Sequence, residues 1–370
     1  MSSFKVEFTL KQHTPIIHFQ GDQSGATLRA TELKPKFDRF LKKYAFGGNL
    51  QSEHKISEDK DALYYKIYIN TTSNSKQEFS FKTYISKKDK DNSNLKVGSY
   101  FGDRKSIFYH DEIEIIFISF NSSLLEMIKK YFIDFINITN FGTRQNKGFG
   151  SFSVLTMQKQ TVENNTEQSI LKYYPTTYRA LGNEPLQKIM SDYQLLKSGT
   201  SNPQYKKSLL FEYMCNKQKR WEKRMIKEYM KKDYPVVFSA LKFEREPIKC
   251  QKENNFVFEY IRGLLGISDQ IEFLKNNPRD FKDKIIIQIK SADSSVERFK
   301  SPITFKVIDK LIYVLATNDI PIKGKKFNFS IKDEEGILNE TIEVPKNFDI
   351  FQFLNFALPQ LKYSILKVTQ

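Results

Sequence analysis

The chain is poor in the residues that make covalent cross-links and metal cages. Its 370 residues include two cysteines, Cys215 and Cys250, four histidines and one tryptophan. Two cysteines exclude a disulfide framework and a cysteine-ligated zinc site, and they fit a reducing cytoplasm. Long apolar runs are missing too. No stretch approaches the roughly 20 apolar residues of a membrane span, and the opening MSSFKVEFTL lacks the apolar core of a signal peptide. A soluble, cytoplasmic protein with no membrane partner is expected. Acidic residues are outnumbered, 43 Asp and Glu against 59 Lys and Arg, giving a formal net charge of +16. That excess favours a polyanionic partner, because neutralising phosphates releases counterions and makes binding strong and salt-dependent.

What is abundant is aromatic: 32 Phe and 19 Tyr, enough to fill a core and leave rings over for stacking on bases. The length suits two domains. Phe4 to Leu10 alternates as a half-buried strand, which Pro15 interrupts. Thr31 is placed to cap a helix reaching Tyr44. Leu63 to Asn70 and Glu78 to Ile85 read as a hairpin, Glu112 to Phe120 as a further strand. Ser122 or Ser123 then caps a helix through Phe135, and a strand runs from Phe149 to Met157.

The region 186–232 reads as helical, with Trp221, Met225 and Tyr229 as an apolar stripe among basic residues. The last third returns to strands at 235–243, 284–290, 302–308, 310–316 and 327–332, with helices at 255–265 and 349–357. The fold class expected is α+β: two RRM-like (ferredoxin-like) domains with a helical insertion. The expected division is residues 1–157, a linker and helical segment at 158–232, and a divergent second domain at 233–370.

The segment with most chemistry is Phe141-Gly-Thr-Arg-Gln-Asn-Lys-Gly-Phe-Gly-Ser-Phe152. Glycines admit positive φ and close backbone approach, and exposed N–H groups can bind phosphate. Arg144 and Lys147 add charge, and Gln145 and Asn146 both donate and accept. No Gly-Lys-Ser/Thr ending is present, so a nucleotide-hydrolysing loop is excluded.

Arg144-Gln-Asn-Lys-Gly-Phe-Gly150, followed by a strand, resembles the glycine-rich loop of the RAMP superfamily (repeat-associated mysterious proteins) of type III CRISPR effector complexes. His13-Thr-Pro-Ile-Ile17 is similar to the opening of those proteins. Leu28-Arg-Ala-Thr-Glu-Leu-Lys34 resembles their first helix start, although Pro35 departs from the small residue expected next. Glu297-Arg-Phe-Lys-Ser-Pro-Ile303 is a looser match to their second domains. With the loop closing the first domain, the order is most similar to the first RAMP subunit of the Cmr-type complex.

The resemblance implies a non-catalytic RNA-binding subunit that helps hold the guide RNA 3′ region and capture target RNA beside other RAMP subunits. Base pairing would supply sequence specificity and the protein would read backbone and shape. The implied contacts are Arg29, Lys34, Arg144, Gln145, Asn146, Lys147, Gly148, Phe149 and Gly150, with no cofactor.

The alternative is a metal-independent guide-processing endoribonuclease, which needs a general acid and base. His13, His18, His54 and His110 are the candidates, His18 first, yet no two have a catalytic spacing. Asp22, Asp89, Asp91 and Asp103 read as turn and solvation residues.

Overall fold

The computed structural model describes residues 4–17, 27–57, 59–71, 76–80, 106–163, 165–200, 206–233, 257–268, 270–274, 284–293, 296, 299–331 and 340–367. The chain folds as α+β in two compact units. One comprises Met1–Ile189, Thr304–Leu315 and Ile365–Gln370; the other comprises Met190–Ile303 and Ala316–Ser364.

The first unit is built on β1 (Lys5–Gln12), whose alternation buries Val6, Phe8 and Leu10 on one face. It is followed by α1 (Ala30–Tyr44), β2 (Lys55–Ser57), β3 (Lys60–Leu63), β4 (Lys66–Thr71), β5 (Lys76–Ser80), β6 (Ser106–His110), β7 (Glu112–Ile118), α2 (Ser122–Ile138), β8 (Phe152–Met157) and β9 (Gln160–Thr161). The main sheet runs β4-β7-β1-β8-β9, antiparallel throughout. The strands β1, β4, β7 and β8 with the two helices form a β-α-β-β-α-β series.

Both helices lay their apolar faces on one side of that sheet. Leu33, Phe37 and Leu41 of α1 and Ile128, Phe132 and Phe135 of α2 share a core with Phe8, Ile115 and Phe117. Phe37 is the hub, its ring centroid 5.8, 5.2 and 4.9 Å from those of Phe117, Phe132 and Phe135. Burying each ring is worth about 2–3 kcal/mol before edge-to-face terms are added.

Several local expectations are revised. Arg29, not Thr31, stands at the N-cap of α1, and the helix runs through Pro35 unbroken. Asn121 caps α2, its side chain accepting from the N–H of Leu124 at 3.0 Å. Among the described residues the expected hairpin does not form: β4 pairs with β7, and β5 pairs with β6. Proximity in sequence lost to the pairing that packs Ile67 and Ile69 of β4, partly buried, against the core.

A second sheet of this unit has the order β15-β16-β10-β19, formed by β15 (Ile303–Ile308), β16 (Leu311–Ala316), β10 (Tyr178–Leu181) and β19 (Ser364–Ile365). Between β15 and β16 the turn residue Asp309 has φ +52°. α3 (Thr166–Tyr173) and the first turn of α4 (Pro185–Lys197) complete the unit.

The other unit holds α5 (Leu209–Cys215), β11 (Lys219–Trp221), α6 (Glu222–Asp233), β12 (Val257–Glu259), β13 (Gln270–Leu274), β14 (Lys284–Ser291), β17 (Lys326–Ile331), β18 (Glu340–Glu343) and α7 (Ile350–Ala357). Its sheet runs β13-β14-β17-β18, all antiparallel, beside a parallel β11–β12 pair. Tyr260 packs edge-on against Phe327 and Phe329. The expected stripe of Trp221, Met225 and Tyr229 is not the buried face. Trp221 lies on β11, and α6 buries Glu222 and Ile226 instead. The expected helix at 255–265 is a strand followed by a 3-10 turn, Ile261–Leu265. The expected strand at 235–243 lies outside the described residues.

Candidate nucleic-acid interface

The glycine-rich segment leaves α2 after Thr139 and becomes β8 at Phe152. Its base is closed by an antiparallel bridge between Asn140 and Ser151, and the N–H of Phe141 donates to the carbonyl of Gly150 at 2.9 Å. Two glycines are dictated by space. A Cβ on Gly150, at φ +65°, would sit 1.9 Å from the carbonyl oxygen of Phe141. One on Gly148, at φ +83°, would sit 2.8 Å from Ile189 Cδ1 and 3.1 Å from Val307 Cγ2.

The glycine N–H groups are turned inward. Gly142 donates to Glu32 Oε1 at 2.7 Å, Gly150 to the Pro15 carbonyl at 2.9 Å, and Gly148 to the Gln145 carbonyl at 3.4 Å. Thr143 N–H donates to the Ile17 carbonyl at 2.7 Å, and Thr14 Oγ1 accepts from Ser151 N–H at 2.9 Å while donating to the Gly148 carbonyl at 2.7 Å. The segment is therefore a rigid arch, not an open cradle of donors. Phe149 is fully buried, so it anchors the arch and offers no ring to a base.

Residues that the sequence reading passed over brace this arch. Glu32 and Lys36 stand one helical turn apart on α1. Lys36 Nζ donates to Glu32 Oε1 at 2.7 Å, to the Asn140 carbonyl at 2.9 Å and to Gln145 Oε1 at 2.9 Å, and lies 4.8 Å from the Phe141 ring centroid. Asn140 Nδ2 donates to the carbonyls of Gln145 and Phe305, each at 2.7 Å. From β15, Phe305 N–H donates to the Asn146 carbonyl at 3.0 Å. The Glu32–Lys36 spacing was the available signal; Phe305 left none, being more than 150 residues away in sequence.

What the arch presents is its apex. Arg144 holds φ +54°, and its carbonyl accepts from Lys147 N–H at 2.7 Å, so the chain doubles back between two cations. Burial, with the Arg144 guanidinium beside it, lowers the Lys147 ammonium below its ordinary value. Arg29 is exposed at the start of α1. Lys34 departs from the expected phosphate contact. Its ammonium donates to Asp38 Oδ2 at 3.0 Å and the Leu63 carbonyl at 2.8 Å, and sits 3.8 Å from the Tyr65 ring centroid.

The histidines divide. His13 is buried, its Nδ1 accepting from Asp309 N–H at 3.0 Å and its Nε2 2.8 Å from Ser153 Oγ. Burial first, with the Lys306 and Lys11 charges adding to it, pushes it down to about 4 against the opposing pull of Asp309. It is a neutral strut between β1 and the Asp309 turn. His54 is buried beside Phe46, and His110 ends β6. His18, Asp22, Asp89, Asp91, Asp103, Glu297 and Arg298 lie outside the described residues. Among the described residues no group of three or more His, Cys, Asp or Glu side chains is placed to hold a metal, and no helix is long and apolar enough to cross a membrane.

The arch, its basic apex and the β-α-β-β-α-β series that frames it have the character of a RAMP protein of the type III CRISPR systems. Family models narrow this. The Cmr1 N-terminal domain matches residues 3–200 and the Cmr1 C-terminal domain matches residues 205–368. The chain belongs to the Cmr1 family. Among solved structures, apo Cmr1 from Pyrococcus furiosus is similar at 12% identity and a TM-score of 0.42, over 98% of each chain. A chain of the type III-B Cmr-beta complex bound to cognate target RNA is similar at 11% identity and a TM-score of 0.28, over 42% of this chain and 59% of that one. No curated protein matches.

Proposed function

We propose that this chain is a non-catalytic, RNA-binding structural subunit of a type III CRISPR ribonucleoprotein in the cytoplasm. It helps hold the guide RNA 3′ region and capture target RNA, in contact with other RAMP subunits. The RNA backbone is gripped by Arg144 and Lys147 at the arch apex, with Arg29, Gln145 and Asn146 around them. Gly148, Phe149 and Gly150 shape the grip from beneath, and Lys34 steadies α1 through Asp38 and the Leu63 carbonyl. The observation that carries this reading is the pairing of two cations on one rigid turn. A phosphate set against that turn can accept from both side chains. A net charge of +16 supplies long-range attraction.

The test is filter binding of single-stranded RNA to the chain and to the co-expressed complex, across a salt series. Arg144→Glu with Lys147→Glu should weaken binding uniformly across sequences and flatten the salt dependence by about two phosphate contacts. Unchanged capture by the double variant removes the arch from the interface. Repeat-containing RNA incubated with the chain in excess chelator should stay intact, and site-specific cutting would instead establish a metal-independent nuclease.

A further inference from the structure

Away from the arch, one end of the main sheet carries an uncovered aromatic corner. Phe120, just past β7, is 72% exposed, and Phe4, just before β1, is 54% exposed. The two rings meet edge-on at 5.5 Å between centroids. They are held in place by their neighbours: Ser119 N–H donates to the Phe4 carbonyl at 3.1 Å, and Ser119 Oγ donates to the Tyr64 carbonyl at 2.7 Å. Tyr64 is 44% exposed, and Tyr68, on β4, is 50% exposed. Most apolar surface on a soluble protein is scattered, so exposed rings gathered at one corner mark an interaction site.

Charge decides what the corner receives. In a chain of net charge +16, the open face of this sheet bears Lys5, Lys11 and Lys66 against Glu7, Glu112 and Glu114. Lys5 pairs with Glu7 at 2.6 Å, and Lys11 pairs with Asp309 at 2.7 Å. Such a balanced face gives little to phosphate. It suits a protein surface, where aromatic anchors are enriched and unpaired charge is depleted.

The backbone points the same way. β4 stands at the edge of the main sheet, with β7 on its inner side and no strand on its outer side among the described residues. It contains no proline and a single lysine, at its first position, so little guards it against a further strand. Lys66, Tyr68 and Asn70 are exposed, while Ile67 and Ile69 turn towards the core. A strand laid antiparallel or parallel along β4 would place alternate side chains beside Tyr68 and extend towards the Phe4–Phe120 pair.

We propose that the outer edge of β4 together with the Phe4, Tyr64, Tyr68 and Phe120 corner docks an extended segment of a neighbouring protein subunit, by strand addition with apolar side chains seated against the rings. The site is distinct from the RNA grip, and it rests on the proposed membership of an assembly only for the identity of the probe.

The test uses the chain co-expressed with the other RAMP subunits of its complex. A photo-reactive phenylalanine in place of Phe120, or of Tyr68, should cross-link to an extended segment of a partner polypeptide. Backbone amides of β4 should gain hydrogen-exchange protection on assembly. Phe120→Ser should weaken subunit capture about tenfold or more, the scale of an interface hot spot, without shifting the melting temperature of the isolated chain, because the ring is mostly in solvent. Phe120→Tyr should retain capture. Cross-links that run to RNA, or an assembled complex with neither cross-link nor protection at β4, overturn the proposal. Phe120→Ser should leave the salt dependence of RNA binding by the chain alone unchanged, so failure here and failure of the arch as an RNA grip read out separately.

Discussion

The buried ammonium of Lys306 donates to the carbonyl of Phe152, the residue that ends the glycine-rich arch, at 2.8 Å. It also donates to the carbonyls of Ile136 at 2.8 Å and Thr139 at 2.9 Å, at the C-terminal end of α2 where the helix dipole is negative. Burial lowers its basicity well below the ordinary lysine value. A residue of β15 thus pins the helix and strand on either side of the arch. Lys306→Met keeps the stem but takes away the ammonium that donates to three carbonyls. Unfolding in urea should show a loss of about 3 kcal/mol or more, and an unchanged midpoint would contradict this bracing.

Arg144 separates backbone from charge. Its φ of +54° is costly for a side chain with a Cβ, by about 1 kcal/mol. Arg144→Gly should therefore leave stability equal or slightly raised while RNA affinity falls. Arg144→Lys should keep most of the affinity, having kept the charge but lost the planar fork. Equal RNA binding by wild type and the glycine variant would show that the residue is there for its turn alone.

Lys36 acts on the arch from behind. Lys36→Met removes the donor shared by Glu32, Asn140 and Gln145. Amides of residues 141–147 should exchange faster, and stability should drop by about 1–2 kcal/mol. RNA affinity should fall less than for Arg144→Glu, and the slope of affinity against salt should stay near that of wild type, because no phosphate contact is removed. A changed salt slope would place Lys36 itself on the RNA.

These residues also show how far the sequence could be read. Strict alternation exposed β1 and β7, and the arch announced itself through Gly148, Phe149 and Gly150, because local pattern encodes strands and forced backbone. The α+β class and the family followed from those signals. Pairing partners did not, since β4 choosing β7 over β5 is decided by burial across more than 40 residues. Lys306 and Phe305, which brace the arch from the far end of the chain, look like any strand residues in one dimension. Phe149 was counted among the implied RNA contacts and its ring lies in the core, because an aromatic between glycines carries no mark of which way it turns. Lys34 read as a phosphate contact for want of any sign of Asp38 and Tyr65 closing on it.

Acid and base should act oppositely on the two units. In the unfolded chain His13 takes up its proton near 6.5, but folded it does so only near 4. Between those values the unfolded state binds more protons, so the unit containing β1 loses stability as pH falls, by on the order of 3 kcal/mol in full. Glu222 runs the other way. It is fully buried on α6, and burial raises it to about 7 from 4.5, against the pull of Arg262 and the Ile261 N–H. Between 4.5 and 7 the folded state holds the extra proton, so the unit containing α6 loses stability as pH rises. The sole tryptophan, Trp221, adjoins Glu222 and lies against Phe211 and Arg262, and reports that unit alone. Its fluorescence should show Glu222→Gln raising the unfolding midpoint at pH 8 and leaving it nearly unchanged at pH 4.5. Hydrogen exchange at Phe8 and Leu10 should show the opposite slope, flattened by His13→Gln. Parallel pH slopes at Trp221 and at β1 would refute the assignment of either group.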